Sequence, residues 1–118
     1  MNVNKASYQR IFDRVVNHLR TQKIKATTAT GVCIYRAPVS KLKCAVGCLI
    51  PDRKYKPSIE GLAVNEGPVY SLLGLKSTSK KILFLKKIQL IHDNHDPSQW
   101  EGLFKSFAHK HKLMLKKK

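Results

Sequence analysis

Asp96-Pro97-Ser98-Gln99 is the strongest folding instruction in this chain. Asp96 suits an N-cap, Pro97 brings a helical φ to a position whose N–H has no intrahelical partner, and Gln99 can reach back to the cap and complete a capping box. Trp100, Leu103, Phe104, Phe107 and Ala108 follow at steps of three and four, so the helix that starts here carries one apolar face. Such a face must be buried, and the rest of the chain has to supply the surface that covers it. A second amphipathic helix is predicted from Asn4 to about Thr21, with Tyr8, Ile11, Phe12, Val15, Val16 and Leu19 on one side and Arg10, Asp13, Arg14, Asn17 and Arg20 on the other. Asn4 or Ser7 can cap it. A third is predicted from Ser77 or Thr78 to residue 92, where Ile82, Leu85, Ile88 and Ile91 recur beside Lys80, Lys81, Lys86 and Lys87.

Between the helices expected at 4–21 and 78–92 the period changes. From Val32, Cys33 and Tyr35 alternate with Ile34 and Arg36; after the turn signal Ala37-Pro38-Val39-Ser40, Leu42, Cys44, Val46 and Cys48 alternate with Lys41, Lys43, Ala45 and Gly47. This pattern predicts a β-hairpin in which Cys33 faces Cys44 and Tyr35 faces Leu42 on the core side, while Arg36, Lys41 and Lys43 share a basic outer face. Pro51-Asp52 ends the second strand. Beyond it, Glu60-Gly61 reads as a turn and Val69 to Leu75 as a short helix. The expected fold is therefore α+β: a small antiparallel hairpin or sheet packed by an N-terminal helix and two C-terminal helices, in a single domain over residues 1–113 with a frayed basic tail at 114–118.

Tyr35-Arg36, the run Lys43-Cys44-Ala45-Val46-Gly47-Cys48-Leu49-Ile50-Pro51-Asp52, Tyr55, Glu60-Gly61, His92-Asp93 and the Pro97 to Trp100 helix start occur here in one order. In that order the chain resembles a family of small tailed-bacteriophage proteins to which no activity is assigned. The resemblance implies a shared scaffold and a place in the cytoplasm of an infected bacterial host. It departs from the family at Arg53, Lys54 and Lys56, where relatives tend to be acidic, so the basic character is expected to serve a task of this chain's own.

That basic character is the main functional signal. Of 118 residues, 23 are Lys or Arg and 7 are Asp or Glu, a formal net charge of +16, while 42% are apolar, enough for a core. A folded domain of this charge accumulates on polyanions, because each cation placed at a phosphate releases a counterion. The expected function is non-catalytic binding of DNA or RNA, or of a nucleic-acid-bearing host complex. The candidate residues are Arg36, Lys41 and Lys43 on the hairpin, Arg53, Lys54, Tyr55 and Lys56 in the following loop, and Lys110, Lys112, Lys116, Lys117 and Lys118 at the C-terminus. Tyr55 between two lysines could stack on an unpaired base. The alternative is a protein-interaction module that inhibits or redirects a host protein complex by docking on an acidic surface.

Other chemistries are weaker. Cys44 and Cys48 have knuckle-like spacing, but on a strand they would stand about 13 Å apart, too far to share one metal. His92, Asp93, Asn94, His95 and Asp96 could suggest a metal-dependent nuclease, yet Asp96 already serves as a cap and helix-to-helix turns collect such residues. A Cys48–His92–Asp93 hydrolase lacks any local signature. No metal, cofactor or enzymatic activity is expected. Three cysteines, with no apolar leader after Lys5 and Arg10, point to reduced thiols in an intracellular protein. The apolar stripe of the 78–92 helix is expected to face the core and not a membrane surface.

Overall fold

The computed structural model describes residues 1–118. Four helices carry it: α1 (Tyr8–Gln22), α2 (Gly67–Leu72), α3 (Lys81–Asn94) and α4 (Trp100–Lys110), with single 3-10 turns at Gly47–Leu49, Asp52–Lys54, Pro57–Ile59 and Pro97–Gln99. Ser7 caps α1 by accepting the Arg10 N–H at 3.1 Å, and α4 is entered through the capping box, with Gln99 Oε1 accepting the Asp96 N–H at 3.1 Å. All the apolar residues predicted on α1 are buried except Tyr8, as are Trp100, Phe104, Phe107 and Ala108 on α4. The α3 stripe of Ile82, Leu85, Ile88 and Ile91 also faces inward. The three faces meet at aromatic rings: Phe12 stacks on Phe107 with centroids 5.7 Å apart, and Phe84 meets Phe107 edge-on at 5.2 Å. No helix is long and apolar enough to cross a membrane.

The predicted α+β fold is not what forms. Helices account for 49% of the residues and strand pairing for 3%, and there is no sheet. The hairpin is reduced to isolated bridges, Thr27 with Cys33 and Arg36 with Lys43. Its register also differs from the expected one: Arg36 faces Lys43, and Cys33 faces Thr27 instead of Cys44. The cause is local. Ala37 to Lys41 closes as a wider turn, with the Lys41 N–H donating to Ala37 C=O at 3.0 Å and Lys41 in the left-handed region at φ 66°. After Lys43 the alternation of burial ends: Cys44, Ala45, Val46 and Gly47 are all buried, and Cys48 N–H donates to Cys44 C=O at 3.1 Å, so the chain coils where a second strand was expected.

Side chains replace the missing ladder. In the Arg36–Lys43 pair, the Lys43 backbone points away from Arg36 and toward α1. Gln22 there accepts the Lys43 N–H through Oε1 at 2.9 Å and donates through Nε2 to its carbonyl at 2.9 Å, while His18 Nε2 lies 2.9 Å from the same carbonyl. On the other side, the Glu60 carboxylate accepts the N–H groups of Tyr35 and Arg36 at 2.8 and 3.1 Å. Backbone groups that a sheet would have paired are thus satisfied one by one.

Gly47 is where this segment comes closest to its neighbour. A Cβ there would stand 2.0 Å from the Tyr35 carbonyl oxygen, so only glycine fits. The Cys44–Ile50 run is closely packed. Cys44, Ala45 and Val46 are wholly buried, and α1 lies against the Gly47–Leu49 turn.

The C-terminal residues lie along α1, held at Met114 and Lys116. Gln9 exchanges a pair of hydrogen bonds with the Met114 backbone at 2.8 and 2.9 Å, and Arg20 donates to the Lys116 carbonyl at 2.8 Å while forking onto Glu101 at 2.7 and 2.8 Å. Lys116 adds an ion pair with Asp13 at 3.5 Å. The tail is a strap along α1.

Candidate nucleic-acid interface

Arg36, Lys41, Lys43 and Tyr55, separated by up to nineteen positions in sequence, line a single cleft of about 680 Å³ together with Thr28, Asp52 and Glu60. The one-rung bridge sets Arg36 beside Lys43, the left-handed turn carries Lys41 to the rim, and the 3-10 turn after Pro51 brings Asp52 over them. Arg36 is held tightly. Its Nη1 meets Asp52 Oδ1 at 2.7 Å, its Nη2 donates to the Ile50 carbonyl, and its guanidinium lies 5.0 Å from the centroid of the Tyr55 ring. The Tyr55 hydroxyl donates to Glu60 Oε2 at 2.6 Å; partial burial and this bond push its pKa up to about 12. One face of Tyr55 is therefore occupied by Arg36, so the ring serves first as a wall that orients the guanidinium.

The other sequence candidates lie elsewhere. Arg53 and Lys54 line a separate depression with Met1, Asn2 and Asn4, and Lys56 is exposed between the two. Lys110 and Lys112 stand at the C-terminal end of α4, and Lys116 to Lys118 run along α1, where Lys118 comes beside Arg20 and Lys23. Of the 23 cations only Arg20, Arg36, Lys43 and Lys116 lie within ion-pair distance of a carboxylate, so most of the positive charge stays open to external anions. Asp52 and Glu60, which shape the cleft, carried no sequence signal beyond suiting turns, because each acts on residues far away along the chain.

The polar cluster at the end of α3 is built for structure. His92 is wholly buried, its Nε2 accepts the Ala26 N–H at 3.0 Å, and its Nδ1 therefore carries the proton donated to Asp93 Oδ1 at 2.7 Å. Gln89 donates to the same oxygen at 2.8 Å and accepts the Val46 N–H at 2.7 Å. Cys33, and not Cys48, comes near: its thiol donates to the Asp93 carbonyl at 3.7 Å, and the Cys33, His92 and Asp93 donor atoms lie within 4.8 Å of one another. With Nε2 committed to an N–H donor, metal ligation at Nδ1 would require a ring without any proton, and the ring has no nitrogen free to deprotonate a thiol.

Cys48 lies in the Gly47–Leu49 turn and Cys44 just before it, joined by the Cys48 N–H to Cys44 C=O bond, and neither is on a strand. Even so, Cys44 Sγ accepts the Gly47 N–H at 3.2 Å, the Cys48 thiol donates to Ala45 C=O at 3.0 Å, and burial pushes both thiols well up. All three cysteines are free thiols. No family model, no curated protein and no solved structure matches the chain.

Proposed function

We propose that the chain is a non-catalytic nucleic-acid-binding protein, a phage-type accessory factor acting in the cytoplasm of an infected bacterium, whose contact surface is centred on the Arg36–Lys41–Lys43 cleft. The observation that carries this reading is the convergence of three cations and an aromatic wall on one cavity, in a molecule whose remaining lysines are almost all unpaired. Cavity size suits a nucleotide-scale group. Phosphates would be held by the cleft and by the surrounding free lysines, with little dependence on base sequence.

The test is a salt titration of binding to labelled oligothymidylate and to a duplex. For roughly five to nine phosphate contacts the log–log slope should be about −4 to −8. A slope near zero removes the proposal. The alternative, docking on an acidic protein surface, would use the same lysines, with the apolar groove between Val32, Leu62 and Leu90, where Val32 and Leu90 are exposed, as an added protein contact. Purification from host cells with and without nuclease separates the two, since nuclease strips a nucleic-acid cargo and leaves a protein partner in place.

A further inference from the structure

The cleft already holds an anion, and the anion belongs to the chain. Asp52 is 84% exposed, yet its Oδ1 receives Arg36 Nη1 at 2.7 Å and Lys43 Nζ at 3.5 Å. These two cations hold its carboxyl below the usual range, so it stays ionised at neutral pH. No backbone N–H donates to this carboxylate, and no helix depends on it for a cap. Glu60, the other acid of the cleft, is different: both its oxygens are taken by the N–H groups of Tyr35 and Arg36 and by the Tyr55 hydroxyl. Glu60 is a fixed wall, while Asp52 is an occupant.

A phosphate makes the same demand on Arg36 and Lys43 as a carboxylate does, and brings further oxygens. One accessible donor remains for them: the Lys41 amine at the rim has no acidic partner. We infer that Arg36, Lys41 and Lys43 form a seat for one phosphate group, that Asp52 fills this seat in the free protein, and that a polyanion binds by exchanging its phosphate for the Asp52 carboxylate. This rests on the nucleic-acid reading above and adds to it the seat and its competitor. An acid inside the binding site thereby weakens binding, and neutralising it strengthens binding by more than its charge alone.

The experiment compares Asp52→Asn with Asp96→Asn, which changes the net charge equally and keeps an N-cap residue at α4. Affinities for labelled oligothymidylate are read by anisotropy at low salt, and those for inorganic tripolyphosphate by calorimetry. Asp52→Asn should bind both probes about fivefold tighter than wild type, and Asp96→Asn should stay within about twofold. Adding Lys41→Ala to Asp52→Asn should cancel the gain. Equal gains in the two Asn variants, or none at position 52, overturn the seat while the salt slope of the wild type leaves nucleic-acid binding standing. If oligothymidylate and duplex fail to bind any variant, the nucleic-acid reading falls. A tripolyphosphate gain confined to Asp52→Asn would then still establish the seat, and its absence would overturn that as well.

Discussion

Two aspartates organise this molecule, and they do opposite things. Asp93 is gripped by His92 and Gln89, whose remaining polar atoms reach Ala26 and Val46, so the network ties α3 to two irregular segments and ends with its ring nitrogens and amide atoms used. Asp52 is gripped by Arg36 and Lys43 in open solvent, with cations to spare around it. The first network is closed and defines the frame; the second is open and can change partners. Buried polar groups are costly to orphan, whereas exposed ion pairs contribute little to stability. Position 43 joins the two, since its backbone belongs to the frame through Gln22 and its amine to the cleft.

The comparison makes its largest claim at His92. His92→Ala removes a wholly buried ring stacked on Trp100, leaves the Ala26 N–H without a partner and leaves Asp93 with Gln89 alone, so urea unfolding should show a loss of about 4 kcal/mol. A near-normal midpoint would mean the closed network is not part of the frame. Gly47→Ala should cost about 3 kcal/mol by the same measurement, because the added methyl meets the Tyr35 carbonyl and must displace backbone.

On the open side the effects move from stability to affinity. Lys41→Glu with Lys43→Glu should lower oligothymidylate affinity by more than about tenfold at low salt with the melting temperature nearly unchanged. The Glu triple variant at Arg53, Lys54 and Lys56, which do not line the cleft, should lose less affinity. A reversed order would move the interface to the loop. The smallest effect is a pH dependence. Burial holds the His18 and His111 pKa values below the ordinary 6.5, so the unfolded chain takes up more protons as pH falls. The melting temperature should therefore be flat above about pH 6.5 and decline below it, with His18→Gln removing part of the decline.

The two end helices were legible because their signals are local: a serine or a capping box, then an apolar residue every third or fourth position. The middle of the chain was not. Val32 to Cys48 alternates convincingly on paper, but a strand pattern does not reveal that Gln22 and Glu60, on other elements, will take the hydrogen bonds a neighbouring strand would have made. The run of small residues Cys44, Ala45 and Gly47 permits the chain to coil tightly against Tyr35, which alternation alone cannot show. For the candidate site, Arg36, Lys41 and Lys43 were grouped as the outer face of a hairpin that does not form, yet the turn between them still brings all three to one cleft. Asp52 and Glu60 were not legible, because their roles exist only once the cleft is closed.

Gln9, Gln22 and Glu60 share a consequence for how partners can approach. Each places side-chain atoms where extended backbone would otherwise present unpaired N–H and C=O groups: at Met114, at Lys43, and at Tyr35 and Arg36. An extended segment with open edge groups is a template for strand addition and for edge-to-edge aggregation. Here the groups at Met114, Lys43, Tyr35 and Arg36 are already occupied, so a strand added at those positions would first have to displace a side chain. At these positions recognition is left to side chains.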